Sequence, residues 1–231
     1  MFTARRTWTD ESTSTTVQVA FTDASVDVRE GASCDPLRLE ADLSRLEAAI
    51  GAGIARMHQV HGADVAHVRD AAGVPTADAL TTDVPGLALM TRAADCVPVL
   101  LAAPREGMVG AVHAGREGVL RGVVHAAVEA LRRRGATRLR AWVGPHVCGG
   151  CYEVPEEMRA QVAEAVPAAA AHTTWGTSSL DLGAGVRAQL DALDVEHEDV
   201  GGCTLEDDLL WSHRRQGAAA GRMAGLVWVA A

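Results

Sequence analysis

The 231-residue chain contains no lysine and no asparagine. Its 21 basic side chains are therefore all arginine and face 30 acidic ones, for a net charge of −9 with histidine neutral. Without lysine there is no Schiff-base chemistry with pyridoxal phosphate or a carbonyl substrate, and no phosphate-loop lysine. Protein-kinase chemistry, which needs a strand lysine and a catalytic-loop asparagine, is excluded with them. The net negative charge speaks against nucleic acid or an anionic lipid surface as partner. Apolar runs are short, and none approaches the roughly 18 residues of a membrane span. The two arginines at positions 5 and 6 are not followed by an apolar stretch, so no secretory leader is expected. The five cysteines are an odd number in a long chain; together these features predict reduced thiols and a cytoplasmic location.

What the chain does contain is a mixture of helix and strand signals with no linker or repeat between them. Helical spacing of Leu37, Leu39, Leu43, Leu46 and Ile50 predicts a helix over 36–50. Helices are also expected over 119–134, closed by Gly135, over 155–166 and 179–193, the last capped by Ser178 or Ser179, and around 205–213, with Asp207 and Asp208 as early helix charges. Ala168 to Ala171 reads as a helix end. Strands are expected over 17–21, 54–60, 65–68, 87–91, 97–102, 108–113, 139–143 and 225–229. The irregular alternation predicts an α/β or α+β fold: one layered domain over residues 1–231, with a mixed sheet and flanking helices. A TIM barrel would need about 250 residues in eight regular units.

Three reactive side chains sit where apolar runs meet turns: His61 in QVHGADV, Cys96 in AADCVPVLL and His113 in AVHAG. Strand ends that share one sheet edge commonly build a site. Two imidazoles and a thiolate would hold zinc with a fourth position open to water or substrate. Their scatter along the chain leaves two other readings: separate core residues, or a metal-free hydrolase with Cys96 as nucleophile and His113 as base. Cys148 and Cys151 have redox or zinc spacing, but with no second CxxC to accompany them neither a structural zinc nor a redox role is expected there. Asp95, beside Cys96, is either a hydrogen-bond partner of a ligand or a turn former. His58 and His67 read as surface residues, and His125, His146, His172 and His197 carry no motif.

The ordered set QVHG, ADCVPVLL, AVHAG, GPHVCGGCYEV, CT, SHRR and GR, running from Gln59 to Arg222, resembles the laccase-domain family. That family is also called the multicopper polyphenol oxidase or YfiH/YlmD-type purine nucleoside phosphorylase family. The resemblance implies a YfiH-like fold and a metal-dependent enzyme that takes a purine nucleoside and phosphate. It further implies phosphorolysis of adenosine, inosine, guanosine and methylthioadenosine, with adenosine deamination beside it. His61, Cys96 and His113 become the ligands of one metal, taken as zinc, with copper second; three ligands are too few for a multicopper centre. Substrate contacts are expected from Arg116, Tyr152, Arg214 and Arg215. Peptidoglycan-precursor editing through an amidase activity is the alternative, and a degenerate metal-binding relative without turnover is a third reading. One segment departs from the family pattern. HAGWRG is replaced by His113-Ala114-Gly115-Arg116-Glu117-Gly118, so Glu117 is expected to repel phosphate and to weaken phosphorolysis more than deamination.

Overall fold

Strands that are apolar on both faces need cover on both faces, and here that cover comes in four layers. The computed structural model describes residues 1–31 and 34–231. In chain order the elements are β1 (Phe2–Thr9), β2 (Thr16–Thr22), α1 (Pro36–Ile50), β3 (Gly53–Ala55), β4 (Val65–His67), β5 (Ala79–Thr82), β6 (Leu87–Ala93), β7 (Val97–Ala103), β8 (Met108–Ala114), α2 (Arg116–Leu120), α3 (Val123–Arg133), β9 (Arg140–Val143), α4 (Glu156–Ala165), β10 (Ala170–His172), β11 (Ser178–Leu180), α5 (Leu182–Ala192), β12 (Glu196–Asp199), α6 (His213–Gln216) and β13 (Met223–Val229). A five-stranded mixed sheet has the order β1-β2-β13-β6-β3, and a six-stranded mixed sheet the order β12-β9-β7-β8-β5-β4. β10 and β11 pair separately.

The two large sheets meet across a core that includes Val19, Phe21, Leu89, Leu100, Trp142 and Val227. Helix α1 covers the outer face of the five-stranded sheet, placing Leu46 with Ile54, Met90 and Leu226. Helices α3 and α5 cover the outer face of the other sheet, with Val128, Leu131, Val186 and Leu190 against Val99, Leu101 and Val112. Alternate residues of β7 therefore serve different cores: Val99 and Leu101 face the helices, Leu100 and Ala102 face the opposite sheet. This is why its sequence is an unbroken apolar run. The expected α/β layering is the observed one, with two large sheets where a single mixed sheet was expected. Helix α1 spans the expected residues; Asp35 caps it by accepting from the N–H of Leu37 at 3.0 Å.

Four local expectations are corrected. The strand expected over 54–60 stops at Ala55. Beyond it, the Gln59 side chain takes the place of a backbone ladder: its Nε2 donates to Arg92 O at 2.8 Å and its Oε1 accepts from Arg92 N at 2.9 Å. The helix expected over 119–134 is broken into α2 and α3 at Gly122, whose φ of +75° is left-handed. The helix expected from Ser179 begins at Leu182, where Asp181 caps it by accepting from Ala184 N at 2.7 Å, while Ser178–Leu180 pairs with β10. The helix expected around 205–213 is a run of turns. The Arg215 guanidinium takes the carbonyls of Thr204, Leu205, Asp207 and Leu210, the acceptors a helix would have used. Asp207 caps a turn there, accepting from Leu209 N at 2.8 Å.

Candidate functional site

His61, Cys96 and His113 converge. Their ligand atoms all lie within 4.8 Å of one another. Cys96 Sγ is 3.9 Å from His61 Nε2, and the two imidazoles meet edge to face at 4.8 Å between centroids. His113 lies near the end of β8, opposite Pro98 in the antiparallel pair with β7. That register carries Cys96, in the turn before β7, alongside Gly115. A Cβ on Gly115 would sit 2.7 Å from His61 Cδ2 and 3.2 Å from Cys96 Sγ, so the glycine of HAG is what lets the three side chains close up. Both loop contributions are held in unusual backbone: φ is +59° at His61 and +93° at Asp95. Non-glycine residues in this region cost energy and collect at functional sites.

Asp78 joins the pieces, and the sequence analysis did not find it. Its carboxylate is fully buried and accepts from His113 Nδ1 at 2.8 Å. It also accepts from the backbone N–H groups of Val60 (3.1 Å), His61 (3.0 Å) and Gly62 (2.6 Å). One side chain thus fixes the His113 tautomer, with Nδ1–H donating and Nε2 free toward Cys96, and anchors the turn that carries His61. Burial alone would raise the Asp78 pKa; the His113 bond and the backbone donors outweigh it and leave the carboxyl below its usual range. A lone carboxylate in the otherwise apolar stretch ADAL was the available signal. Of the two readings of Asp95, the turn former is the observed one. It accepts from Thr204 Oγ1 and Arg214 N, both at 2.6 Å, and orders the turn.

The electrostatics separate the readings of Cys96. Burial, then the neighbouring Asp95 carboxylate, push its thiol up to about 12 without a cation. A thiol held that far above neutral pH stays protonated and is a poor metal-free nucleophile. His113 is likewise held below its ordinary value by burial, against the pull of Asp78, so its Nε2 carries a lone pair at neutral pH. A neutral imidazole fixed by a carboxylate, a second imidazole and a thiol that ionises on coordination make a borderline-soft donor set that fits a divalent metal such as zinc. The set has an open side, because His61 is exposed.

The triad lies in a cleft of about 580 Å³. Of the four expected substrate contacts, the structure brings Tyr152 and Arg214 to its wall, together with the triad. The Arg214 guanidinium stacks 4.5 Å from the Tyr152 ring centroid while its Nη1 donates to Glu153 O at 2.7 Å. Arg116 and Arg215 are not brought to the cleft wall. Arg215 is consumed by the backbone carbonyls of its own loop, and Arg116 pairs with Glu117 at 2.7 Å. Glu117 thus has a cation beside its carboxylate at the start of α2, which offsets part of the phosphate repulsion expected of it. Other arginines line the cleft instead. Arg92 pairs with Glu30 at 2.8 Å and Arg29 with Asp27 at 2.7 Å. Arg222 uses Nη1 for the carbonyls of Ala220 and Gly221, leaving the rest of its guanidinium without a protein partner among the described residues. Its place in the GR motif was visible in the sequence, but its role was not.

Known proteins resemble this chain along most of its length. A purine nucleoside phosphorylase of Streptomyces griseus is 49% identical over 205 residues, covering 84% of this chain and 83% of its own. One from Streptomyces coelicolor is 50% identical over 204 residues, covering 84% of each. Among solved structures, a Neisseria meningitidis protein superposes with a TM-score of 0.82 at 27% identity, over 98% of this chain and 99% of its own. YlmD from Geobacillus stearothermophilus gives 0.82 at 26% identity, over 93% and 92%. No helix among the described residues is long and apolar enough to cross a membrane. The profile of the multi-copper polyphenol oxidoreductase laccase family matches residues 14–230, and the chain belongs to that family.

Proposed function

We propose that the chain is a zinc-dependent purine nucleoside phosphorylase that also cleaves methylthioadenosine and deaminates adenosine. The observation that carries this reading is one cleft that joins the triad, built on Asp78, to an arginine without a carboxylate partner and to a stacked Tyr152–Arg214 pair. The names of the relatives at 49% and 50% identity support the phosphorolytic part.

In phosphorolysis a phosphate oxygen bonds to ribose C1′ as the bond from C1′ to the purine nitrogen breaks. The products are ribose 1-phosphate and the free base, which picks up a proton. In a chain without lysine, only arginine can hold the incoming dianion; Arg222 is the cation placed for it, with Arg214 beside it. The Tyr152 ring offers a flat apolar face for a purine. Burial raises the Tyr152 pKa, so the hydroxyl stays protonated and can donate. His61, Cys96 and His113 would hold the metal, with Asp78 setting the direction of His113. Zinc bound there supplies Lewis acidity and the capacity to ionise water near neutral pH, which suits hydrolytic loss of ammonia from adenosine.

The test is a panel of adenosine, inosine, guanosine and methylthioadenosine, incubated with and without phosphate and analysed for free base, ribose 1-phosphate and inosine. Phosphate-dependent base release that disappears in Cys96→Ala is expected. Turnover of no nucleoside by zinc-loaded protein would overturn the proposal, and hydrolysis of a peptidoglycan-precursor amide by the same sample would replace it with the amidase alternative.

A further inference from the structure

A second group of soft ligands lies beyond the cleft. Cys148, Cys151, Cys203 and Glu206 bring three sulfurs and a carboxylate oxygen within 4.8 Å of one another. They come from two tight turns far apart in the chain. The Cys151 N–H donates to Cys148 O at 3.0 Å, and the Glu206 N–H donates to Cys203 O at 3.2 Å. Each turn therefore offers ligands at its first and fourth residues, one as C-x-x-C and the other as C-x-x-E. The turns already touch through these atoms: the Cys148 N–H points at Cys203 Sγ (3.4 Å), and the Cys151 thiol donates to Glu206 Oε1 (3.3 Å).

We infer that Cys148, Cys151, Cys203 and Glu206 form a second, structural zinc site that clamps the 148–152 turn to the 203–207 turn. Four protein ligands on paired turns are the pattern of a closed, tetrahedral zinc centre, and three thiolates select zinc over magnesium or calcium. On binding, the three thiol protons pass to solvent. A dithiol redox pair is the weaker account. It leaves Cys203 and Glu206 without a role, and Cys151 is buried, where a thiol is a poor nucleophile. The clamp bears on the cleft from outside. Tyr152 follows Cys151 directly and lines the cleft, and Thr204, next to Cys203, donates to Asp95 Oδ1 at 2.6 Å in the turn that presents Cys96. Nothing in this inference depends on which reaction the cleft performs.

The experiment is zinc content per chain, by elemental mass spectrometry, for the full-length protein, Cys203→Ser and Cys96→Ser. About two equivalents are expected in the unaltered protein and about one in each variant, one for each site. Cys203→Ser should also lower the unfolding midpoint, whereas Cys96→Ser should not. If Cys203→Ser does not fold, Glu206→Gln and cobalt substitution of Cys96→Ser serve instead. An intense thiolate-to-cobalt charge-transfer band that persists in Cys96→Ser supports the clamp. A Cys96→Ser protein that holds neither zinc nor that band overturns it. So does a disulfide joining Cys148 to Cys151 or Cys203 in the unreduced protein. Loss of nucleoside turnover with both metals bound would instead count against the proposed function alone.

Discussion

His61, Cys96 and His113 reach their common point from a loop, a turn and a strand end, and one of the two imidazoles, that of His61, is exposed in an open cleft. Cys148, Cys151, Cys203 and Glu206 reach theirs from two tight turns that close on each other. Both groups offer ligand atoms within 4.8 Å, so distance alone does not tell them apart. What differs is the fourth position and the support. The triad has three ligands, a buried carboxylate behind one of them and space in front. The other group has four ligands, enough to complete a tetrahedral set without water or substrate. An open fourth position is where substrate or water enters, and a closed set holds chain segments together. The same soft chemistry therefore reads as catalysis in one region and as cross-linking in the other.

The sharpest way to break this comparison is Cys96→Ala. If the triad is the reactive centre, nucleoside turnover should fall by about 10²–10⁴-fold, the several kcal/mol that a metal supplies. The unfolding midpoint should stay near that of the unaltered protein. A large drop in midpoint with modest loss of turnover would make the triad structural and reverse the assignment.

Asp78→Asn tests the support behind the triad. It keeps the shape but weakens the acceptor for His113 Nδ1 and the backbone donors of residues 60–62. Metal affinity or turnover should fall about 10–100-fold, measured by competition with a chelator and by kcat/KM. An unchanged affinity would mean that Asp78 only shapes the turn.

Arg222→Gln separates substrate binding from metal binding. Loss of one charge-assisted contact should raise the KM for phosphate about tenfold, with zinc content and adenosine deamination retained. Arg116→Gln should leave the phosphate KM near its original value, because Arg116 is spent on Glu117. Equal effects of the two would place the anion elsewhere.

The smallest expected effect lies in β4, outside both groups. Burial, then Arg134, hold the His67 pKa below the ordinary imidazole value of 6.5. Below pH 6.5 the unfolded chain takes up a proton that folded His67 resists, so stability falls as pH drops through that value. His67→Gln should flatten the acid side of a plot of unfolding midpoint against pH slightly, with no change above pH 7.5. An unchanged slope would show that His67 titrates alike in both states.

Much of the architecture was legible because hydrophobic spacing is local. Helix α1 follows from its apolar positions together with Asp35, Pro36 and Gly51, which mark its ends. Strands β7, β8 and β13 are apolar runs of strand length. The strands that could not be read take their pairing from elsewhere. β1 is an edge strand with charged, exposed residues. β12, with the sequence EHED, forms only because it lies parallel to β9, where Arg140 meets Glu196 and Glu198. At the site, the triad could be named from motifs, yet Asp78 could not, since its four hydrogen-bond donors come from two other segments.

The sequence by itself determined the absence of lysine chemistry and the positions of the apolar strands, which are properties of residue type and short spacing; the three residues that meet in the cleft were named through the family motifs that carry them. Tertiary structure decided which polar groups pair. It turned Arg215 inward onto its own loop, tied Glu117 to Arg116, left Arg222 open in the cleft, and brought Cys148 and Cys151 to Cys203 and Glu206. A charged side chain takes whichever partner the packing of distant segments brings within about 3 Å, and no local pattern encodes that distance.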